Sequence, residues 1–276
     1  MIQLEYDIRH SRCPLLALAI HNGHETLPAL ADLFLIDDFT RLREEDPCTG
    51  VLAKVSPNYL IVRSSRFQTD VNRSAAEAFY RTPEEAWGLQ VRGTDLPPEL
   101  EQELREDYDR FYRLTDQFVK ALIRSCGYLV IYDFHSYNYR RDAGGQEADP
   151  ELNPEINIGT GNMNRRLWEP VIAGFREQLI RHDYFGRSLD VRENIKFKGG
   201  FLSRWIHERY PDHSCVLAIE VKKFFMDEWT GAIDILRLQE LKKAFLATVP
   251  RVLKEAESIG RRQRAALNGE DGTELF

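Results

Sequence analysis

The sequence predicts an α/β fold: a single domain built on a mainly parallel, mixed central sheet flanked by helices. Three observations carry this prediction. Short, nearly unbroken apolar runs alternate with longer stretches that repeat apolar residues every three or four positions. Those runs lack the strict alternation of a strand with one wet face, which suits strands covered on both sides. A chain of 276 residues, 43% of them apolar, also suffices for one large core.

The first strand is expected over 14–21, "PLLALAIH", an apolar run that starts after Pro14 and stops at a polar turn. The second lies over 57–67, the third over 127–136, "GYLVIYDFHS", and the fourth over 215–226. Helices are expected over 74–87, 97–126, 163–181, 200–209 and 235–262. The clearest is 97–126, where Leu100, Leu104, Tyr108, Phe111, Leu114, Phe118 and Leu122 fall at helical spacing and Pro98 suits the first turn. Residues 136–162 are rich in Asn, Gly, Pro and Asp and too long for an ordinary connection, a length common in functional loops. Residues 265–276 read as a flexible tail of the same domain.

Bulk properties exclude several classes. A net charge of −7 and a pI near 5.6 argue against a nucleic-acid partner, which needs a basic face. No run approaches the ~18 apolar residues of a membrane span, and the start has no signal-peptide pattern. Four scattered cysteines without a CxxC pair suit a reducing cytoplasm and carry no thiol-nucleophile signature. Oligomeric state is left open.

Candidate chemistry sits where strands end. The first strand ends at His21, with His24 and Glu25 behind it; the third ends Asp133-Phe134-His135-Ser136, and strand alternation puts Asp133 and His135 on one side. Glu220 stands in the fourth among Leu217, Ala218, Ile219 and Val221, surroundings that raise a carboxyl pKa. Taken singly, each has a plainer reading: a polar strand end at His21, or an ion pair of Glu220 with Lys222. Ligands of open α/β sheets bind beyond the carboxyl ends of the strands, so these groups can meet. Arg66, Asp70, Asn72 and Arg73 follow the second strand, and arginine forks suit an acidic substrate.

Six segments in order, "AIHNGH", "SRFQTDVNR", "IYDFHSY", "INIGTGN", "NIKFKGGFLSR" and "LAIEVKKFFMDE", resemble the N-formylglutamate amidohydrolase family, akin to zinc carboxypeptidases and acylamino-acid deacylases. The resemblance implies a zinc-carboxypeptidase-like fold, of the phosphorylase/hydrolase-like kind, and one zinc per chain. It implies cleavage of a formyl or other acyl group from the nitrogen of a small acidic amino acid. His21 and His135 look like zinc ligands and Glu220 like the general base; Asp133, on the same strand face as His135, would on chemical grounds support a ligand or be a further one. Asn72 and Arg73 look like carboxylate binders, and Arg66 like a group on the substrate carbonyl or carboxylate. Lys198 to Gly200 and Gly159 to Gly161 look like pocket wall.

The remaining ligand departs from the carboxypeptidase His-x-x-Glu pair, because His24 occupies the glutamate position. The formylglutamate family instead has an acidic residue some way downstream, where "REEDPCTG" places Asp46, so the resemblance leaves His24 and Asp46 as rival ligands, with Glu25 behind both. Arg140 and Arg141 in the long loop are candidates for contact with a longer or more acidic substrate. A carboxypeptidase or deacylase acting on peptides, and a silent metabolite-binding protein, are the competing readings.

Overall fold

Seven strands make one sheet in this computed structural model, which describes residues 4–141, 146 and 148–270. They are β1 (Tyr6–Arg9), β2 (Leu15–Ala19), β3 (Asn58–Val62), β4 (Leu129–Tyr137), β5 (Ile156–Gly159), β6 (Val191–Glu193) and β7 (Ser214–Lys222), in the spatial order β1-β3-β2-β4-β7-β5-β6. The central four, β3, β2, β4 and β7, run parallel. The edges reverse direction: β1 pairs antiparallel with β3, and β5 antiparallel with β7 while carrying β6 parallel to itself. The fold is thus the single α/β domain with a mixed sheet that the apolar runs predict.

Helices are α1 (Pro28–Ala31), α2 (Asp38–Glu44), α3 (Thr49–Ala53), α4 (Pro98–Cys126), α5 (Arg165–Arg181), α6 (Phe201–Arg209) and α7 (Ile235–Glu270). On one face of the sheet α3, α5 and α7 pack Leu52, Trp168, Phe175 and Phe245 onto Ala17, Tyr132, Phe134, Leu217 and Ile219. On the other, α4 and α6 pack Phe111, Val119, Leu122, Leu202 and Ile206 onto Leu16, Leu18, Ile131 and Val216. Burial on both faces is why these strands read as continuous apolar runs.

The period of two decides where the chemistry falls. In β4, Leu129 and Ile131 belong to the α4/α6 side, so Asp133 and His135 follow on that side. Val216 of β7 starts the same row, which leads through Ala218 to Glu220, directly opposite His135 in the register. Apolar side chains fill the row until the carboxyl ends of the strands, where polar ones replace them.

Several sequence expectations change. No helix spans 74–87: the chain turns so that Ala78, Phe79 and Tyr80 are buried, the Ala78 carbonyl accepts from the Asp70 amide at 2.8 Å, and only Pro83–Ala86 forms a 3₁₀ turn, under a Thr82/Glu85 capping box. Tertiary burial of two aromatics overrides the local alanine-rich helix signal. The stretch 136–162 is not one loop, because β4 runs on to Tyr137 and "INIG" becomes β5. β1, β6 and α1 to α3 are too short for periodicity to reveal. The expected tail begins within α7, whose backbone continues to Glu270; residues 271–276 lie outside the described residues. No helix among the described residues is long and apolar enough to cross a membrane.

His207 ties α6 to β7. Its Nε2 accepts the Val216 backbone N–H at 2.9 Å, so the proton sits on Nδ1 and faces Asn162 Oδ1 at 2.8 Å. Burial pushes its pKa down to about 4. The neutral ring is stabilising above pH ~6.5, and that contribution is lost as pH falls from there towards 4, by up to about 3 kcal/mol. The difference in unfolding free energy between wild type and His207→Gln should therefore shrink as denaturant titrations move from pH 7 to pH 4. A difference independent of pH would contradict the neutral-ring assignment.

Candidate functional site

β2 delivers His21 just past its end, and the turn after it is built by backbone pairing. The His21 carbonyl accepts the Asp46 N–H at 2.9 Å, and Asn22 Oδ1 accepts the Gly50 N–H at 2.8 Å. Asp46, distant in sequence, is thereby fixed beside His21. Gly23 lies flat on the Arg63 backbone, where a Cβ would stand 2.0 Å from the Arg63 carbonyl carbon. Its missing side chain lets residues 23 and 25 pair with Ser65 and Ser64 and hold the turn against the end of β3.

Both histidines face one carboxylate oxygen. His21 Nδ1 is 3.3 Å and His135 Nδ1 3.0 Å from Asp46 Oδ2, with the ring centroids 5.0 Å apart. All three side chains are buried, and their ligand atoms lie within 4.8 Å of one another, the spacing a bound cation needs. A second carboxylate stands behind each ring: Asp70 Oδ1 is 2.8 Å from His21 Nε2, and Asp133 Oδ1 is 3.2 Å from His135 Nε2. Carboxylates in that position favour the tautomer with the proton on Nε2 and the Nδ1 lone pair pointing inwards.

The electrostatics favour positive charge at this point. Burial works against ionised Asp46, but the two imidazoles outweigh it and hold the carboxyl well below the usual range. Burial likewise disfavours a charged His135, yet Asp133 and Asp46 raise its pKa well above the ordinary value. Both Asp133 oxygens and His135 Nε2 are buried without a well-aligned hydrogen bond. That cost is offset when a cation sits on the inner side of the ring. The donor set, two imidazoles and a carboxylate, fits a divalent transition metal.

Asp70, fully buried, organises the next layer. Besides His21 it receives Arg66 Nη2 at 2.8 Å, the Asn72 N–H at 2.9 Å and the Tyr80 hydroxyl. Arg66 is therefore a fixed charge, carried by Asp70, with its Cζ 4.8 Å from the Trp87 ring. Asn72 Oδ1 accepts the Leu202 N–H at 3.0 Å, and a Cβ on Gly200 would meet the Asn72 amide at 2.4 Å, so glycine there is what admits it. Lys223, buried just beyond β7, donates to the carbonyls of Arg43 at 2.6 Å and Glu45 at 2.8 Å. It locks the strand that carries Glu220 to the segment that carries Asp46, and burial lowers its pKa to about 8.

These groups line one cavity of about 350 Å³, with His21, Asp46, His135, Arg66, Asn72, Glu220, Lys198 and Lys223 in its walls. Glu220 keeps some exposure to it, and burial raises its pKa to about 7, against the favourable charge of His135. Trp87, Arg141, Lys196, Phe197, Gly199 and Gly200 also face the space. Gly159 and Gly161 stand behind it instead, against Lys198 and Gly199.

Three sequence-based candidates fall outside. His24 does not join the cluster, because its Nδ1 lies 2.6 Å from Glu45 and its carbonyl accepts from Arg41; the Gly23 turn points the ring away. Glu25 is exposed, and Arg63 and Glu5 are among its charged neighbours. Arg73 turns from the cavity, donating to the Glu85 carbonyl at 2.6 Å and lying over Tyr80 with its Cζ 4.5 Å from the ring centroid. Of the two loop arginines, Arg141 lines the cavity while Arg140 reaches Asp227 at 3.4 Å.

Sequence reasoning missed Tyr80, Trp87, Lys196 and Lys223. Lys223 left a trace, a lysine between apolar Val221 and Phe225; Lys196 alternates with Phe197 and Lys198. Trp87 left none, since its approach depends on the turns of 74–87.

The family model described as N-formylglutamate amidohydrolase matches residues 13–226. The fold is similar to the crystal structure of an N-formylglutamate amidohydrolase from Ralstonia eutropha JMP134, with TM-score 0.69 and 15% identity over 95% of this chain and 99% of that one. It is also similar to that of a gene product from Agrobacterium tumefaciens, with TM-score 0.61 and 19% identity over 93% and 95% of the two chains. No curated protein sequence matches the chain.

Asp70→Asn leaves Arg66 without its buried counter-charge and should lower unfolding stability by about 3–5 kcal/mol. Denaturant titration reads this directly; a loss below about 1 kcal/mol would mean that Asp70 does not carry this layer.

Proposed function

The chain belongs to the N-formylglutamate amidohydrolase family, and from that premise we propose that it is a zinc-dependent amidohydrolase. In this reading it removes a formyl or other acyl group from the nitrogen of an acidic amino acid such as N-formylglutamate. The observation that carries the reading is the meeting, in one cavity, of the His21–Asp46–His135 group with Glu220 and Arg66.

His21, Asp46 and His135 would hold the metal. Bound there, zinc supplies Lewis acidity, making a water nucleophilic near neutral pH and drawing electron density from the scissile carbonyl. Glu220 is the proton carrier. With its pKa near 7 it is partly ionised at neutral pH, accepts the proton of the attacking water and then delivers it to the departing nitrogen. Arg66, held rigid by Asp70 and Tyr80, presents its charge to the oxygen that becomes negative as the carbonyl is attacked. Because it is already oriented, little reorganisation opposes it.

Asn72 and Lys198 bind the substrate's carboxylate. Asn72 is fixed against α6, and Lys198 faces the cavity with no carboxylate paired to it among the described residues. Asp70 and Asp133 orient the two histidines.

Two outcomes follow. Metal analysis of the purified protein should find about one zinc per chain, and His135→Ala should lose it. Glu220→Gln should retain the zinc and lose roughly 10²–10⁴-fold in kcat. A panel of N-formyl, N-acetyl and N-succinyl amino acids alongside short peptides reads the bond cleaved. Full turnover by metal-free protein, or peptides hydrolysed in preference to N-acyl amino acids, would sink the proposal.

A further inference from the structure

Behind Tyr80, Arg81, Gln90, Arg92, Thr94 and Asp95 help to bound a second space of about 280 Å³. It shares no lining residue with the catalytic cavity. Its inner wall is Arg92, only 6% exposed. Two backbone carbonyls hold the guanidinium there: Nη2 donates to Tyr80 at 2.8 Å and Nη1 to Phe67 at 3.1 Å.

The chain itself does not neutralise that charge. No carboxylate pairs with Arg92 among the described residues, whereas Arg41, similarly buried, has Asp38 at 2.7 Å. Burial lowers the Arg92 pKa and the positive charge of Arg81 adds to the effect, although Glu101 and Asp95 oppose it. Arg81 is exposed and reaches Glu101 at 2.8 Å and Asp95 at 3.5 Å. The Asp95 side chain is 86% exposed, so that pair is weak and an entering anion displaces it. Glu101 is also held by Arg105 at 2.6 Å. With Asp95 turned out, Arg81, Arg92 and Arg105 stand against Glu101 alone, a surplus of two positive charges.

We propose that this space seats a phosphate-type dianion, either inorganic phosphate or the phosphoryl group of a small phosphate monoester. Charge decides the class, because a dianion matches the surplus and a single carboxylate leaves half of it. Tetrahedral oxygens can accept from both guanidiniums and from the Thr94 hydroxyl at once. A volume of about 280 Å³ leaves room for an organic group beyond the phosphoryl. The seat does not depend on the amidohydrolase reading. It adjoins the same framework, since Arg92 ties Phe67, next to Arg66, to Tyr80, whose hydroxyl accepts from Arg66 Nε at 2.9 Å.

Calorimetric titration of the purified protein with inorganic phosphate and with glycerol phosphate, at constant ionic strength in chloride, tests the seat. Wild type should bind phosphate with a Kd of about 1 mM or below. Tighter binding of the ester identifies an esterified ligand, and equal or weaker binding the free anion. Arg81→Gln, at an exposed position, should weaken binding at least roughly tenfold. Asp95→Asn removes the competing carboxylate and should tighten binding about threefold. Lys198→Met, in the catalytic cavity, should change nothing. Absence of binding in wild type, or weaker binding in Asp95→Asn, overturns the proposal. So does an affinity that survives Arg81→Gln, and its loss in Lys198→Met would place the anion in the catalytic cavity instead.

Discussion

Two imidazoles and a carboxylate direct their inner atoms at one small volume, and much of the surrounding structure serves that concentration of negative character. In the chain by itself the facing lone pairs are unfavourable unless a proton on an inner nitrogen is shared with Asp46, and a bound cation takes the place of that proton. Here Asp46 Oδ2 lies 3.0 and 3.3 Å from the Nδ1 atoms of His135 and His21. Asp70 and Asp133 reinforce the field from behind instead of relieving it. Such an arrangement is stable when positive charge occupies its centre, and this is the physical basis for reading it as a metal site.

The sheet makes the meeting possible. β2 and β4 are parallel neighbours, so their carboxyl ends bring His21 and His135 together, while β7, the next parallel strand, sets Glu220 opposite His135. Asp46 belongs to no strand and needs separate support. The His21 carbonyl binds its backbone N–H, and Lys223 binds the carbonyls of Arg43 and Glu45 on the approaching chain. A buried lysine is costly in itself, and its place here follows from the need to fix that segment.

Much of this was legible in the amino-acid sequence, for definite reasons. The four parallel strands are apolar on both faces and announce themselves as unbroken runs; His21, His135 and Glu220 stand out because they interrupt or end those runs. β5 was hidden because four residues, "INIG", lie inside a stretch rich in Asn, Gly and Pro. Residues 74–87 misled because alanines signal a helix, whereas burial of Phe79 and Tyr80 sets the turns. His24 and Asp46 were indistinguishable in sequence, since the direction of a side chain leaving a turn depends on Gly23 and Arg63 across the sheet. Arg73 misled for a similar reason: its neighbour Asn72 packs on α6, so the next side chain leaves by the other side.

The central claim is that two imidazoles and one carboxylate, rather than three imidazoles, hold the metal. X-ray absorption at the zinc edge of the loaded protein measures this most directly. The account predicts the outer-shell scattering of two imidazoles with oxygen completing the first shell, unchanged in His24→Gln. A third imidazole, lost in that variant, would place His24 at the metal and contradict the assignment of Asp46.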